Sequence, residues 1–152
     1  MFKIGIIGPE STGKSTLSKY LARRYGGLLV EEYARTYLEE RAHAYTREDV
    51  IRIAKYQIEQ LRALSQEEGV AFFDTELIIT KVWMQHKYGD CPAFIEEALC
   101  ACPMDVYLLC YPDLSWEPDP VRENPTIREY LFDWYEREVQ AMGVPYYIVR
   151  HD

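Results

Sequence analysis

An apolar run, Phe2–Ile7, passes without a break into Gly8-Pro9-Glu10-Ser11-Thr12-Gly13-Lys14-Ser15, and residues 14–25 then carry a helical pattern. Strand, glycine loop and helix stand in the order that GxxxxGK[ST] requires. By residue frequencies the pattern arises in about one in 200 chains of this length, before its context is counted. Gly8 and Gly13 permit backbone angles and close approaches denied to larger residues, so successive amides can wrap phosphate at a helix N-terminus. The stretch Gly8, Glu10, Ser11, Thr12, Gly13, Lys14, Ser15 and Thr16 is therefore the expected cradle for ATP. Lys14 offers a point charge to the β- and γ-phosphates, Ser15 a hydroxyl to Mg²⁺, and Thr16 a second hydroxyl near the α-phosphate.

Magnesium needs a carboxylate as well, and Val70–Asp74 is an apolar stretch ending in an acid. Asp74 is the candidate metal ligand, or alternatively the N-cap of a helix beginning near Glu76. A further short apolar run, Leu28–Val30, ends in Glu31-Glu32-Tyr33-Ala34-Arg35. Ligands of open parallel sheets lie beyond the carboxyl ends of the strands, so one of these acids can take a proton from an acceptor hydroxyl. The competing reading is two acids at the positive end of a helix. Pro112-Asp113-Leu114-Ser115-Trp116-Glu117-Pro118-Asp119-Pro120 is too rich in proline for helix or strand and reads as a long loop of the kind that forms lids. Arg122 and Arg128 follow it, where mobile cations can close over charge developing on a transferred phosphoryl group. Trp116 either stacks on a ring or anchors the lid.

The remaining pattern fits one domain over residues 1–152, with its lid at about 112–128. Strands are expected at Phe2–Ile7, Leu28–Val30, Val70–Asp74, Val106–Tyr111 and Tyr146–Arg150. Amphipathic helices are expected at 46–68, opened by a Thr46/Asp49 capping box, and at 126–142, stopped by Gly143-Val144-Pro145. The alternation implies a three-layer α/β sandwich of the P-loop NTPase kind, with a five-stranded parallel sheet.

Net charge is −8, which opposes attraction to nucleic acid or anionic lipid. The charge is uneven. Residues 1–76 hold 11 basic and 12 acidic side chains against 6 and 13 in residues 77–152, so an anion site belongs to the first half. Four cysteines lack metal-ligand spacing and only three histidines accompany them, which reads as reduced thiols in a cytoplasmic protein. No apolar run reaches the length of a membrane span, and no leader-type segment opens the chain.

Several blocks together resemble the ribosylnicotinamide kinase domain of the NadR type. They are GPESTGKSTL at 8–17, EEYAR at 31–35, IAKYQ at 53–57, FFDTE at 72–76 with Thr80 following, and PDLSWEPDPVRENP at 112–125 with Arg128. The resemblance implies a nucleoside-kinase-like fold with a lid and transfer of the ATP γ-phosphate to the 5′-hydroxyl of nicotinamide riboside. It implies that Lys14, Ser15 and Thr16 hold ATP and Mg²⁺, that Glu32 and Asp74 serve metal or acceptor, and that Arg122 and Arg128 act in the lid. It also implies a kinase without the adenylyltransferase half or a DNA-binding segment. Two departures stand out. Glu31 occupies a position that is commonly aromatic in the family, and the turn and helix that help enclose adenine have no counterpart after His151-Asp152. The other readings are a kinase of another nucleoside or small metabolite, and an ATP-gated regulatory switch. Oligomeric state is not legible in the sequence.

Overall fold

The computed structural model describes residues 1–10, 12–41, 44–113 and 127–150. Within them strands β1 (Phe2–Ile7), β2 (Leu28–Val30), β3 (Val70–Asp74), β4 (Val106–Cys110) and β5 (Tyr146–Val149) alternate with helices. These are α1 (Lys14–Tyr25), α2 (Tyr33–Arg41), α3 (Arg47–Leu64), α4 (Leu77–Tyr88), α5 (Ala93–Ala101) and α6 (Arg128–Met142). The strands form one parallel sheet in the order β2-β3-β1-β4-β5. All five expected strands are present, and the expected α/β architecture holds.

The first strand runs down the middle because it is apolar on both faces, as a strand covered by helices on each side must be. Its pleat sends Ile6 towards α1, together with Phe72 and Cys110 of the neighbouring strands. Ile7, Phe73 and Leu109 face the opposite way, into the larger core built by α3, α4, α5 and α6.

Several boundaries differ from those read in the sequence, each for a local reason. β4 and β5 stop one residue early, and Tyr111 and Arg150 close the ends instead. The Tyr111 amide donates to the Val149 carbonyl at 2.9 Å, and the Arg150 guanidinium lies 4.0 Å from the Tyr111 ring centre. The capping box at Thr46 and Asp49 forms as expected. Helix α3 ends at Leu64 rather than 68, because the Ser65 hydroxyl turns back onto the Leu61 carbonyl at 2.7 Å. The last long helix begins at Arg128, two residues later than expected. α4, offered in the sequence only as an alternative beginning near Glu76, buries Leu77, Ile78, Ile79, Thr80, Val82 and Met84, and its polar residues Lys81, Gln85, His86 and Lys87 make only a short stripe. The greater part of the expected lid, with Trp116 and Arg122, lies outside the described residues.

Candidate active site

The glycine loop is pressed against the end of β4. Gly8 has φ +148°, and a Cβ there would stand 2.7 Å from the Cys110 carbonyl oxygen. Only glycine satisfies both the angle and the space. Gly13 then turns the chain into α1 with φ +81°; no side chain caps that helix, and no acid occupies its first turn. The first-turn amides of α1 thus face the loop with their partial positive charge uncompensated by a side chain, which is a site for an anion.

Two side chains tie the loop to itself. Thr12 Oγ1 and Lys14 Nζ each donate to the Pro9 carbonyl at 2.8 Å. Lys14 is only 7% exposed, so its ammonium is held at the loop rather than in solvent. Glu10 is buried beside it, and Thr16 is exposed in the first turn of α1. Ser11 lies outside the described residues.

Sheet register brings the acids up to this loop. Ile6 pairs with Asp74 and Val30 with Phe73, so Asp74, Glu31 and Glu32 emerge at neighbouring strand ends. Ser15 Oγ donates to Asp74 Oδ2 at 2.6 Å. Asp74 Oδ1 is buried and has no hydrogen-bond partner among the described residues, an arrangement that calls for a ligand at that oxygen. A hydroxyl plus one carboxylate is the sparse set that suits Mg²⁺, which keeps water and phosphate as its other ligands. These residues therefore fit the metal. Glu32 is buried, with Arg35 Nε 3.7 Å from its Oε1, whereas Glu31 is exposed. Both directly precede α2, so the helix-dipole reading and the proton-acceptor reading coexist. Arg128 opens α6 and is half-buried.

One alternative is corrected. Asp74 does not cap α4; Glu76 does, its Oε1 accepting from the Ile78 amide at 3.1 Å. The same oxygen accepts from the Tyr107 hydroxyl at 2.6 Å. Burial pushes the Glu76 carboxyl above its usual range against the opposing pull of that hydrogen bond, and pushes the Tyr107 hydroxyl well up as well. Burial also raises the Cys110 thiol to about 11. Neither this pair nor the Thr80–Gln57 hydrogen bond, at 2.7 Å, is legible in the residue pattern, although three of the four residues lie in the blocks quoted above. Tyr107 looks like one more apolar strand residue. Its hydroxyl gains meaning only when Glu76 is placed opposite it.

Strand order, the glycine loop running into an uncapped helix, and a buried carboxylate against the loop serine define a P-loop α/β domain. The chain belongs to the AAA domain family, whose model matches residues 3–152. It is 28% identical over 125 residues to the trifunctional NAD biosynthesis/regulator protein NadR of Salmonella typhimurium, and equally so to that of Escherichia coli. The match takes in 78% of this chain and 30% of those proteins, so the chain spans about a third of the curated relatives' length. Among solved structures, NadR in complex with NAD and AMP-PNP superposes over 99% of this chain and 44% of its own, with TM-score 0.80 and 22% identity. Deoxyadenosine kinase from M. mycoides superposes over 97% and 89%, with TM-score 0.68 and 18% identity. The resemblance drawn from the motif blocks and the nucleoside-kinase-like fold are both borne out.

Proposed function

We propose that this domain is an ATP- and Mg²⁺-dependent kinase that phosphorylates nicotinamide riboside to nicotinamide mononucleotide, as a step of NAD salvage. The observation that carries the reading is the Ser15–Asp74 hydrogen bond at the mouth of an uncapped helix, with a second buried carboxylate, Glu32, leaving the strand next to Asp74's. A nucleotide-gated switch has no need of that second acid.

The α1 amides and the loop cradle the phosphates, and Lys14 exchanges the Pro9 carbonyl for a phosphate oxygen. Ser15 and Asp74 would hold Mg²⁺, whose charge would offset that of the phosphates. Glu32 accepts the proton of the acceptor's 5′-hydroxyl as that oxygen bonds to the γ-phosphorus and the bond to the β-phosphate oxygen breaks, releasing ADP. Arg128 and Arg122 act from the lid at about 112–128, the whole apparatus being one domain over residues 1–152. Similarity to NadR and the deoxyadenosine kinase fold support a nucleoside acceptor.

The test is ADP formation by the purified protein with ATP, Mg²⁺ and single nucleosides. Nicotinamide riboside should drive turnover. Turnover with another nucleoside in its place would keep the kinase and change the substrate; ATP hydrolysis indifferent to every nucleoside would establish the switch.

A further inference from the structure

The two faces of the sheet are not equally covered. Opposite α1, helices α3 to α6 close the larger core, and Ile7, Tyr107 and Leu109 are 0% exposed. On the face of Ile6 the only helical residues in the cluster are Leu17, Leu21 and Ala22 of α1, which packs chiefly over β3. Strand alternation and register put Phe2, Ile4, Val106, Leu108, Tyr147 and Val149 on that same face, beside α1. None of the six is buried: Phe2 is 51% and Tyr147 65% exposed, and the other four are half-buried. Parallel sheets are covered on both faces, and among the described residues half of this one lacks a layer.

The gap has the dimensions of a helix. β1, β4 and β5 span two strand spacings, about 10 Å, which is the diameter of a helix. One flank of α1 forms the wall. At about 100° per residue Leu17, Tyr20 and Leu21 share a flank, with Lys19 and Arg23 on the other side. The right-handed crossover from β1 through α1 to β2 turns the leucine flank towards β4. Leu17 and Leu21 are half-buried there, and Tyr20 is 60% exposed. Arg24 borders the same flank, but its guanidinium lies 5.4 Å from the Tyr25 ring centre at the end of the helix.

Sheet order decides how a second copy can enter this slot. β1 is the middle strand of five, so a twofold axis parallel to the strands carries β3, with α1 above it, to a position facing β4. Each α1 then occupies the other copy's slot, and the two Leu17–Leu21 flanks meet. A twofold across the strands would set α1 against α1 and leave both slots open. The area suffices for a modest interface. At about 200 Å² per aromatic side chain, the exposed fractions of Phe2, Tyr20 and Tyr147 offer roughly 350 Å², and the half-buried aliphatic residues add about 200 Å². Two copies together would bury about 1,100 Å², just above the roughly 1,000 Å² that a specific contact needs.

We propose that the α1 face of β1, β4 and β5 is a self-association surface, on which a second copy of this domain docks its own α1 to form a symmetric dimer. An interface of this area gives a weak dimer, with a Kd on the order of 1–100 µM.

Sedimentation velocity over about 1–300 µM should show the mean mass rising from that of one copy towards two. Tyr147→Lys on the floor of the slot and Tyr20→Lys on its wall alter exposed side chains, so Tm should hold while each raises the dimer Kd at least about 10-fold. Ile148→Lys lies on the same edge strand but on the opposite face, in register with Leu109, and should leave the Kd unchanged. A single species with the mass of one copy at every concentration overturns the proposal. So does a dimer that Ile148→Lys weakens and Tyr20→Lys does not, which would be pairing of two β5 edges.

Discussion

Lys14 is held to the Pro9 carbonyl and is nearly buried, so its removal takes a charge from the loop without opening the core. Lys14→Ala should fold normally by circular dichroism and lose about 3–4 kcal/mol of transition-state stabilisation, roughly a 10²- to 10³-fold drop in kcat/KM. Near-normal kinetics would remove the phosphate loop from the chemistry. The two acids separate by assay. Asp74→Asn should raise the Mg²⁺ concentration for half-maximal rate, whereas Glu32→Gln should lower the rate at saturating Mg²⁺ and ATP. A reversed pattern exchanges their roles.

Glu76 yields a pH dependence. Its carboxyl titrates above the usual 4.5 when folded because burial disfavours the charge. The neutral form's contribution to stability is therefore complete below pH 4.5 and is lost as pH rises through the raised folded value. Glu76→Gln stays neutral throughout. Denaturant unfolding at pH 4 and pH 8 should show the variant gaining on the wild type at the higher pH, and a gap that does not change with pH would contradict the burial argument.

The elements show why part of this molecule is legible in its residues and part is not. Short apolar strands and the capping box of α3 follow from local chemistry, and both were readable to within a residue or a few. α4 and α2 entered only as alternatives, at Glu76 and after Glu32, because the buried first turns of α4 weaken its stripe and the short α2 and α5 offer too few turns for a period to emerge. In the site, the loop and its acids announce themselves by type and spacing. Tyr107 does not, because its significance lies in a partner 31 residues away. The junction of β1, the loop and β4 carries its own prediction. Gly8→Ala puts a methyl group 2.7 Å from the Cys110 carbonyl at a positive φ. Backbone strain of this kind costs about 1–3 kcal/mol. Thermal unfolding should show a lowered Tm and calorimetry a weaker affinity for an ATP analogue, whereas an unchanged pair of values would mean that the loop is not braced on β4.

For the molecule as a whole, charge distribution gives a test of the proposed substrate. Glu31, Glu32 and Asp74 gather at adjoining strand ends in a chain of net charge −8. The pyridinium of nicotinamide riboside is a permanent cation, so under the proposed function it would gain from exposed Glu31 what neutral uridine or cytidine would not. Nicotinamide riboside should exceed either pyrimidine nucleoside by about 100-fold in kcat/KM, or roughly 2.7 kcal/mol. Equal values would remove the ring charge from recognition.

The central place of β1 also sets an order of events during synthesis. Its neighbours arrive late: Phe2 pairs with Val70, and Ile4 with Val106. At about 5–20 residues per second, the strand that braces the glycine motif is made roughly 5–20 s after it. Phe2–Ile7 has two unpaired edges until Val70–Asp74 is made, and one until Val106–Cys110 is made. The earliest-made part of the nucleotide site is thus completed among the last, and the nascent chain has to be kept from pairing elsewhere until Cys110 has emerged.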